Sequence, residues 1–348
     1  MDATPLTLQW VFSGTSATIV SGAVAERCRF RSYLIYSAFL SGIVYPIACH
    51  SVWNPEGFLY GKVVDYAGGG VVHLIGGAAA MSGAWILGAR KGRFVRHTVT
   101  GKWQCVDIPG HNSVLAALGA LVLWFGFLPF IAGAGYSVAG FTSLATTGRA
   151  VVVTILAGAS GAISLLCFGL AKYRHWDLEL AMNGLLAGIV STLVLDSCNK
   201  SAQRFHCISN IFHFRQVASS SGANVYDTWI AVVVGLLGAV GFNLQVLLFE
   251  KVLRIDDPLN ASALHMGAGI TGMICVGFFA NPDYTMDSSV NGAGIIYGGN
   301  GIQLARQVYG TCVYFLWSFG ASSILFYGLH LVGWFRVSEE VEEMGMGT

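Results

Sequence analysis

Nine apolar stretches of this 348-residue chain, free of Asp, Glu, Lys and Arg, are candidate spans: 3–25, 32–55, 66–89, 108–148, 150–171, 180–195, 228–249, 258–282 and 307–335. A helix of about 20 apolar residues crosses a bilayer core. A chain built mostly of such runs has too little polar surface to fold in water. Charged residues make up 11% of the sequence, less than half the roughly 25% of a soluble domain. That excludes an ordinary soluble enzyme and a disordered protein. A net charge of +1 offers no field for phosphate, so no nucleic-acid partner is expected. No strand-like alternation runs through the apolar stretches, so the fold class is an all-α polytopic membrane protein with the lipid bilayer as its solvent. The 66–89 stretch is dense in Gly and Ala, which suits helices packed closely in lipid. The eight cysteines include no CxxC pair and read as small buried hydrophobes. No metal or cofactor is expected.

The basic residues set the orientation. Arg27, Arg29 and Arg31 follow the first span, and Arg90, Lys91, Arg93, Arg96 and Lys102 the third. Lys172 and Arg174, Lys251 and Arg254, and finally Arg336 fall on loops of the same side. By the positive-inside rule that side is cytoplasmic, which places the N-terminus outside and the C-terminus inside. The stretch 198–227 is polar, basic and irregular. It reads as a variable outer loop or insert with no chemistry assigned, and 336–348 as a short cytoplasmic tail.

Two spans share a pattern. VVHLIGG in the third and ALHMGAG in the eighth each carry one histidine, with a glycine four residues on: Gly77 after His73, Gly269 after His265. The spans are five apart, so their helices run in opposite directions. That is the signature of an inverted-topology repeat with a substrate path between the halves. A five-helix repeat also asks for two helices ahead of the first span, eleven in all. Intramembrane histidines are costly, and a lone one is often a packing residue; two at matching positions point to function. A metal site would want further ligands, and none is evident. An intramembrane enzyme would want a nucleophile–base pair, which is also lacking.

Other residues have two readings at this level. Asp65 stands just before the third span, eight residues from His73, or about 12 Å along a helix. It is a natural helix cap, and from there its charge also biases a nearby cation. Trp53, at the outer end of the second span, is either an interfacial anchor or a cation–π platform. Phe12 and Phe130 read as packing residues.

The motifs SGAVAER (21–27), DYAGGGVVH (65–73), LWFGF (123–127), DDPL (256–259) and the tail RVSEEVEEMGM (336–346) closely resemble those of the Amt/Mep/Rh ammonium transporters, nearest to the eukaryotic Amt branch. The resemblance runs from Phe12 to Met346, apart from 198–227. It implies an eleven-helix fold of which this chain matches the third through eleventh. It implies a homotrimer with one pore per subunit, carrying ammonium or ammonia with methylammonium as analogue, in a plasma membrane. Trp53 would recruit ammonium, Phe12 and Phe130 would form the outer gate, His73 and His265 would line the pore, and Asp65 would support deprotonation. Two departures stand out. Ala134 follows the gate where the family carries a hydroxyl, so the recruitment site should be weaker. Phe127 replaces a frequent tryptophan. Ammonium and potassium are alike in size and charge, but only ammonium can shed a proton, and an apolar pore passes the neutral form at far lower cost. Alternatives are an electroneutral Rh-like gas facilitator, an ammonium sensor with little flux, and a truncated product without function.

Overall fold

The computed structural model describes residues 4–106, 108, 112–137, 145–157, 159, 221–285 and 289–345. The expected span 180–195, most of 150–171, and residues 198–220 of the irregular stretch lie outside them. The described chain is almost entirely helical: α1 (Thr4–Ala23), α2 (Phe30–Phe39), α3 (Tyr45–Trp53), α4 (Ile75–Leu87), α5 (Ser113–Ser137), α7 (Ile230–Leu247), α8 (Ala268–Phe279), α9 (Ile302–Leu331) and a short α10 (Glu339–Met344). Between α5 and α7 lies α6 (Ala145–Ala157). One antiparallel hairpin, Phe94–Arg96 against Trp103–Cys105, extends the loop after α4.

Among the described residues, three helical runs are long and apolar enough to cross a membrane: Phe30–Trp53, Gly69–Leu87 and Ile302–Leu331. Pro129 lies inside α5, and the helix runs on through Ser137. Four segments wind as π-helix: Leu40–Val44, Gly69–Leu74, Leu248–Leu253 and Ala263–Gly267. The second and fourth contain His73 and His265. A π-turn adds one residue per turn and re-aims the side chains it carries, which is why such turns gather at functional positions.

Helix α4 is the centre of the bundle, packed between α1 and α9. Its sequence IGGAAAMSGAWIL is Gly, Ala or Ser from Gly76 to Ala84 except at Met81, so neighbouring backbones come close on that face. A Cβ on Gly76 would stand 2.8 Å from the Ser16 carbonyl oxygen, and one on Gly83 would stand 3.2 Å from Phe326. Lipid supplies no hydrophobic drive between helices, so this van der Waals fit is what holds them together.

The end of the bundle that carries Arg27, Arg90 and Arg336 is tied by charge. Arg27 is fully buried, and it donates to the Gly88 carbonyl at 2.7 Å and to the Asp256 carbonyl at 2.7 Å. Arg90 donates to the Asp256 carboxylate through Nε at 2.8 Å and Nη2 at 3.1 Å. Burial alone would raise the Asp256 pKa, but the Arg90 hydrogen bonds and the Arg27 charge outweigh it and hold this carboxyl below its usual range. Arg336 reaches the carbonyls of Leu87 and Ala89 and also grips Glu342 of α10. Lys91 bridges to Glu339 at 2.7 Å and Glu343 at 2.9 Å. The tail helix is thereby docked on the loop after α4.

Candidate functional site

The two histidines meet. His73 Nδ1 lies 3.1 Å from His265 Nδ1. Their rings stack with centroids 5.1 Å apart and planes within 7°, and both are buried, at 0% and 7% exposed. Neutral imidazoles share such a contact only if one Nδ1 carries a proton and the other offers a lone pair. Hence one Nε2 is an acceptor and the other a donor.

Each histidine is set by an aspartate eight residues upstream. Asp65 Oδ2 accepts from the backbone N–H of Gly70 at 3.0 Å and Val71 at 2.8 Å. Asp257 accepts from Ala261 at 2.8 Å and Ser262 at 2.6 Å. Both carboxylates thus satisfy the orphan donors at the start of a histidine-bearing helix. Burial pushes each up to about 6, against the opposing pull of those N–H bonds. The Asp257 role was missed in the sequence, although the eight-residue Asp-to-His spacing was there to be read twice.

The glycines are reciprocal. A Cβ on Gly77 would stand 2.4 Å from the backbone nitrogen of Met266, the residue after His265. A Cβ on Gly269 would stand 3.0 Å from the backbone nitrogen of Leu74, the residue after His73. The glycine of each histidine-bearing segment therefore admits the backbone beside the other segment's histidine.

Aromatic rings lead from the Trp53 end of the bundle to this pair. Trp53 and Phe12 lie 5.9 Å apart by centroid, Phe12 and Phe130 4.4 Å, and Phe130 and His73 6.0 Å. Phe127, in the departure position, packs on His73 at 5.7 Å. Phe12 is fully buried and Phe130 nearly so, while Trp53 is partly exposed. The Trp53 indole N–H donates to the Asp65 carbonyl at 2.7 Å, which fixes the ring and joins it to the helix cap. Ala134 is fully buried and brings no polar atom.

Beside Trp53 is a cavity of about 120 Å³, whose walls include Asp65, Tyr66, Asn224, Tyr284 and Gln303. Part of the stretch expected to be an irregular loop supplies this wall. Residues 221–227 are packed inward: Ser221 accepts from Tyr66 N at 3.1 Å, and Val225 accepts from Asn281 N at 2.9 Å. Tyr226 is fully buried. Apolar Ala223, Val225 and Tyr226 anchor these seven residues.

An apolar helical bundle with a buried file of rings ending on paired imidazoles defines an all-α membrane protein with an axial histidine site. The chain matches the profile of the Ammonium Transporter Family over residues 1–200 and 216–348, and it belongs to that family. It is 34% identical to "Ammonium transporter 1 member 2" of Arabidopsis thaliana, over 97% of this chain and 63% of that protein. It is 31% identical to "Ammonium transporter 3" of Dictyostelium discoideum, over 97% of this chain and 72% of that protein. The solved structure of a "Sensor Amt Protein" superposes with a TM-score of 0.76 at 31% identity, over 97% of this chain and 74% of that one. The chain thus spans less than two thirds of the Arabidopsis relative's length.

Proposed function

We propose that the chain conducts ammonium across a membrane: recruitment at Trp53, a wait above Phe12 and Phe130, proton loss, and passage of neutral ammonia along His73 and His265. The file of rings from Trp53 to the paired histidines carries this reading. Aromatic faces hold a cation, but an apolar constriction does not pass one. Two neutral imidazoles then offer ammonia both a donor and an acceptor. Asp65 biases the outer end toward cations through its charge. Ala134 weakens the outer site, since no hydroxyl stands there to accept from ammonium.

The same reading carries the wider architecture. The reciprocal Gly77 and Gly269 contacts support an inverted repeat, and with it the nine spans of an eleven-helix plan. Arg27, Arg90 and Arg336 gather at one end and Trp53 and Asp65 at the other, in keeping with a cytoplasmic C-terminus. A homotrimer in the plasma membrane follows by family analogy. The test is radiolabelled methylammonium uptake in ammonium-uptake-deficient cells expressing this chain. Uptake competed by ammonium but not by potassium is expected; verified expression with no uptake refutes the reading.

A second reading is an ammonium sensor, favoured by the solved relative that bears that name. Saturable methylammonium binding without flux would select it.

A further inference from the structure

Ser262 stands immediately before the π-turn Ala263–Gly267 that carries His265, and three hydrogen bonds converge on it. Its backbone N–H donates to the Asp257 carboxylate at 2.6 Å. Its hydroxyl donates to the Gly77 carbonyl at 2.8 Å. The same hydroxyl oxygen accepts from Gln245 Nε2 of α7 at 3.2 Å. Ser262 is fully buried and Gln245 is 7% exposed. A line from amide through hydroxyl to carbonyl thus joins α7, the His265 segment and α4, and each bond in such a line polarises the next. Gly267 makes room for the amide, since a Cβ there would stand 3.0 Å from Gln245 Oε1.

The line ends one helical turn beyond His73, on a residue that touches the His265 turn twice. The Gly77 carbonyl takes the hydroxyl of Ser262, just ahead of the turn. A Cβ on Gly77 would meet the backbone of Met266, just past His265. His265 is therefore held between two points of attachment to one residue of α4. That matters for a π-turn, which is one residue away from α winding. Reversion would rotate one end of the turn against the other by about 100°, and would carry His265 Nδ1 off His73. The contact at Met266 resists approach but not rotation. The hydrogen bond at Ser262 is directional and resists both.

We propose that Ser262, backed by Gln245, is a positioning latch for the imidazole pair: it holds the winding of the His265 turn so that the two Nδ1 atoms face each other. The proposal rests on the ammonium reading and adds to it two residues outside both the ring file and the histidine pair.

The experiment uses the full chain, with histidine isotopically labelled at nitrogen, in lipid vesicles. Solid-state NMR reads the proximity of the two Nδ1 atoms as a cross-peak, identified by its loss in His265→Gln. Methylammonium uptake in cells is measured in parallel. Ser262→Ala should weaken the cross-peak and lower Vmax about ten-fold, the equivalent of one buried hydrogen bond, with KM unchanged because recruitment at Trp53 is untouched. Ser262→Thr keeps the hydroxyl and should retain most of both signals. Gln245→Leu should move both in the same direction by less, and the double variant should be no worse than Ser262→Ala, since the two residues act through one line. A lowered thermal midpoint in Ser262→Ala with cross-peak and Vmax unchanged makes the serine a packing bond and overturns the latch. Where Ser262→Ala does not fold, Gln245→Leu decides, and an unchanged cross-peak and Vmax there overturn the latch as well. A cross-peak that depends on Ser262 in a chain without uptake keeps the latch and discards transport.

Discussion

His73 and His265 face each other through the same atom, Nδ1, at 3.1 Å. A contact between identical atoms must be asymmetric in its proton, so the pair exists in two tautomeric arrangements that exchange by moving one proton. It cannot hold a proton on both nitrogens without breaking the contact.

Replacing His73 with Ala removes one partner and leaves His265 Nδ1 facing a gap. Ammonium-over-potassium selectivity should fall, read as potassium-dependent growth or current in the same cells. Selectivity that survives His73→Ala sinks the histidine role. Exchanging His73 for Gln keeps a donor and an acceptor, and should retain more selectivity than Ala.

Uptake should weaken as the medium is acidified through pH 6. Asp65 is pushed up to about 6 by burial, so it begins to lose its charge there, well above the unfolded value of 3.8. The sign matters. A carboxyl raised on folding favours the protonated folded state, so this group's contribution to stability grows as pH falls from about 6 toward 4. The acidic limb therefore reports function rather than unfolding. Asp65→Asn should lower uptake at neutral pH and flatten the limb. A limb unmoved by Asp65→Asn but removed by Asp257→Asn would assign it to the other aspartate, also near 6.

Gly77→Ala should destabilise the protein by about 1–3 kcal/mol through overpacking, because its Cβ would meet the Met266 backbone at 2.4 Å. Gly269→Ala should do the same against Gly69 and Leu74. Gly14→Ala, with nothing within 4 Å, is the control. Denaturant midpoints of the solubilised proteins check all three. Equal midpoints for Gly77→Ala and Gly14→Ala would contradict the close packing.

Asp256→Asn should cost about 3 kcal/mol, because Arg90 loses its buried carboxylate and keeps only the exposed Glu26, while the buried Arg27 charge loses its main counter-charge. Arg90→Met is the informative partner. If the double variant Asp256→Asn/Arg90→Met regains stability over the single Asp256→Asn, the cost lies in the stranded charge.

Much of this was legible in the sequence. The charge-free runs located α1, α4 and α9, and the spacing of His73 and His265 from their glycines located the site. The two π-turns under the histidines were not legible, because π and α winding differ by one residue per turn and leave no compositional mark. Arg27 sat in a recognised motif, but its burial depends on Gly88 and Asp256, which are distant in sequence. Asn224 and Gln303 were invisible for the same reason. A polar residue near the end of an apolar run reads as surface until tertiary structure brings Asp65 beside it.

The crossed glycines fix more than packing. Each sets main chain against main chain beside the opposite histidine, so the spacing of the two helices at the imidazole pair is set by peptide backbone. Rotamer hopping alters a spacing set by side chains, but leaves one set by backbone unchanged. Such a gauge cannot be retuned by point mutation on one half alone. The two histidine-bearing segments can change their separation only in step.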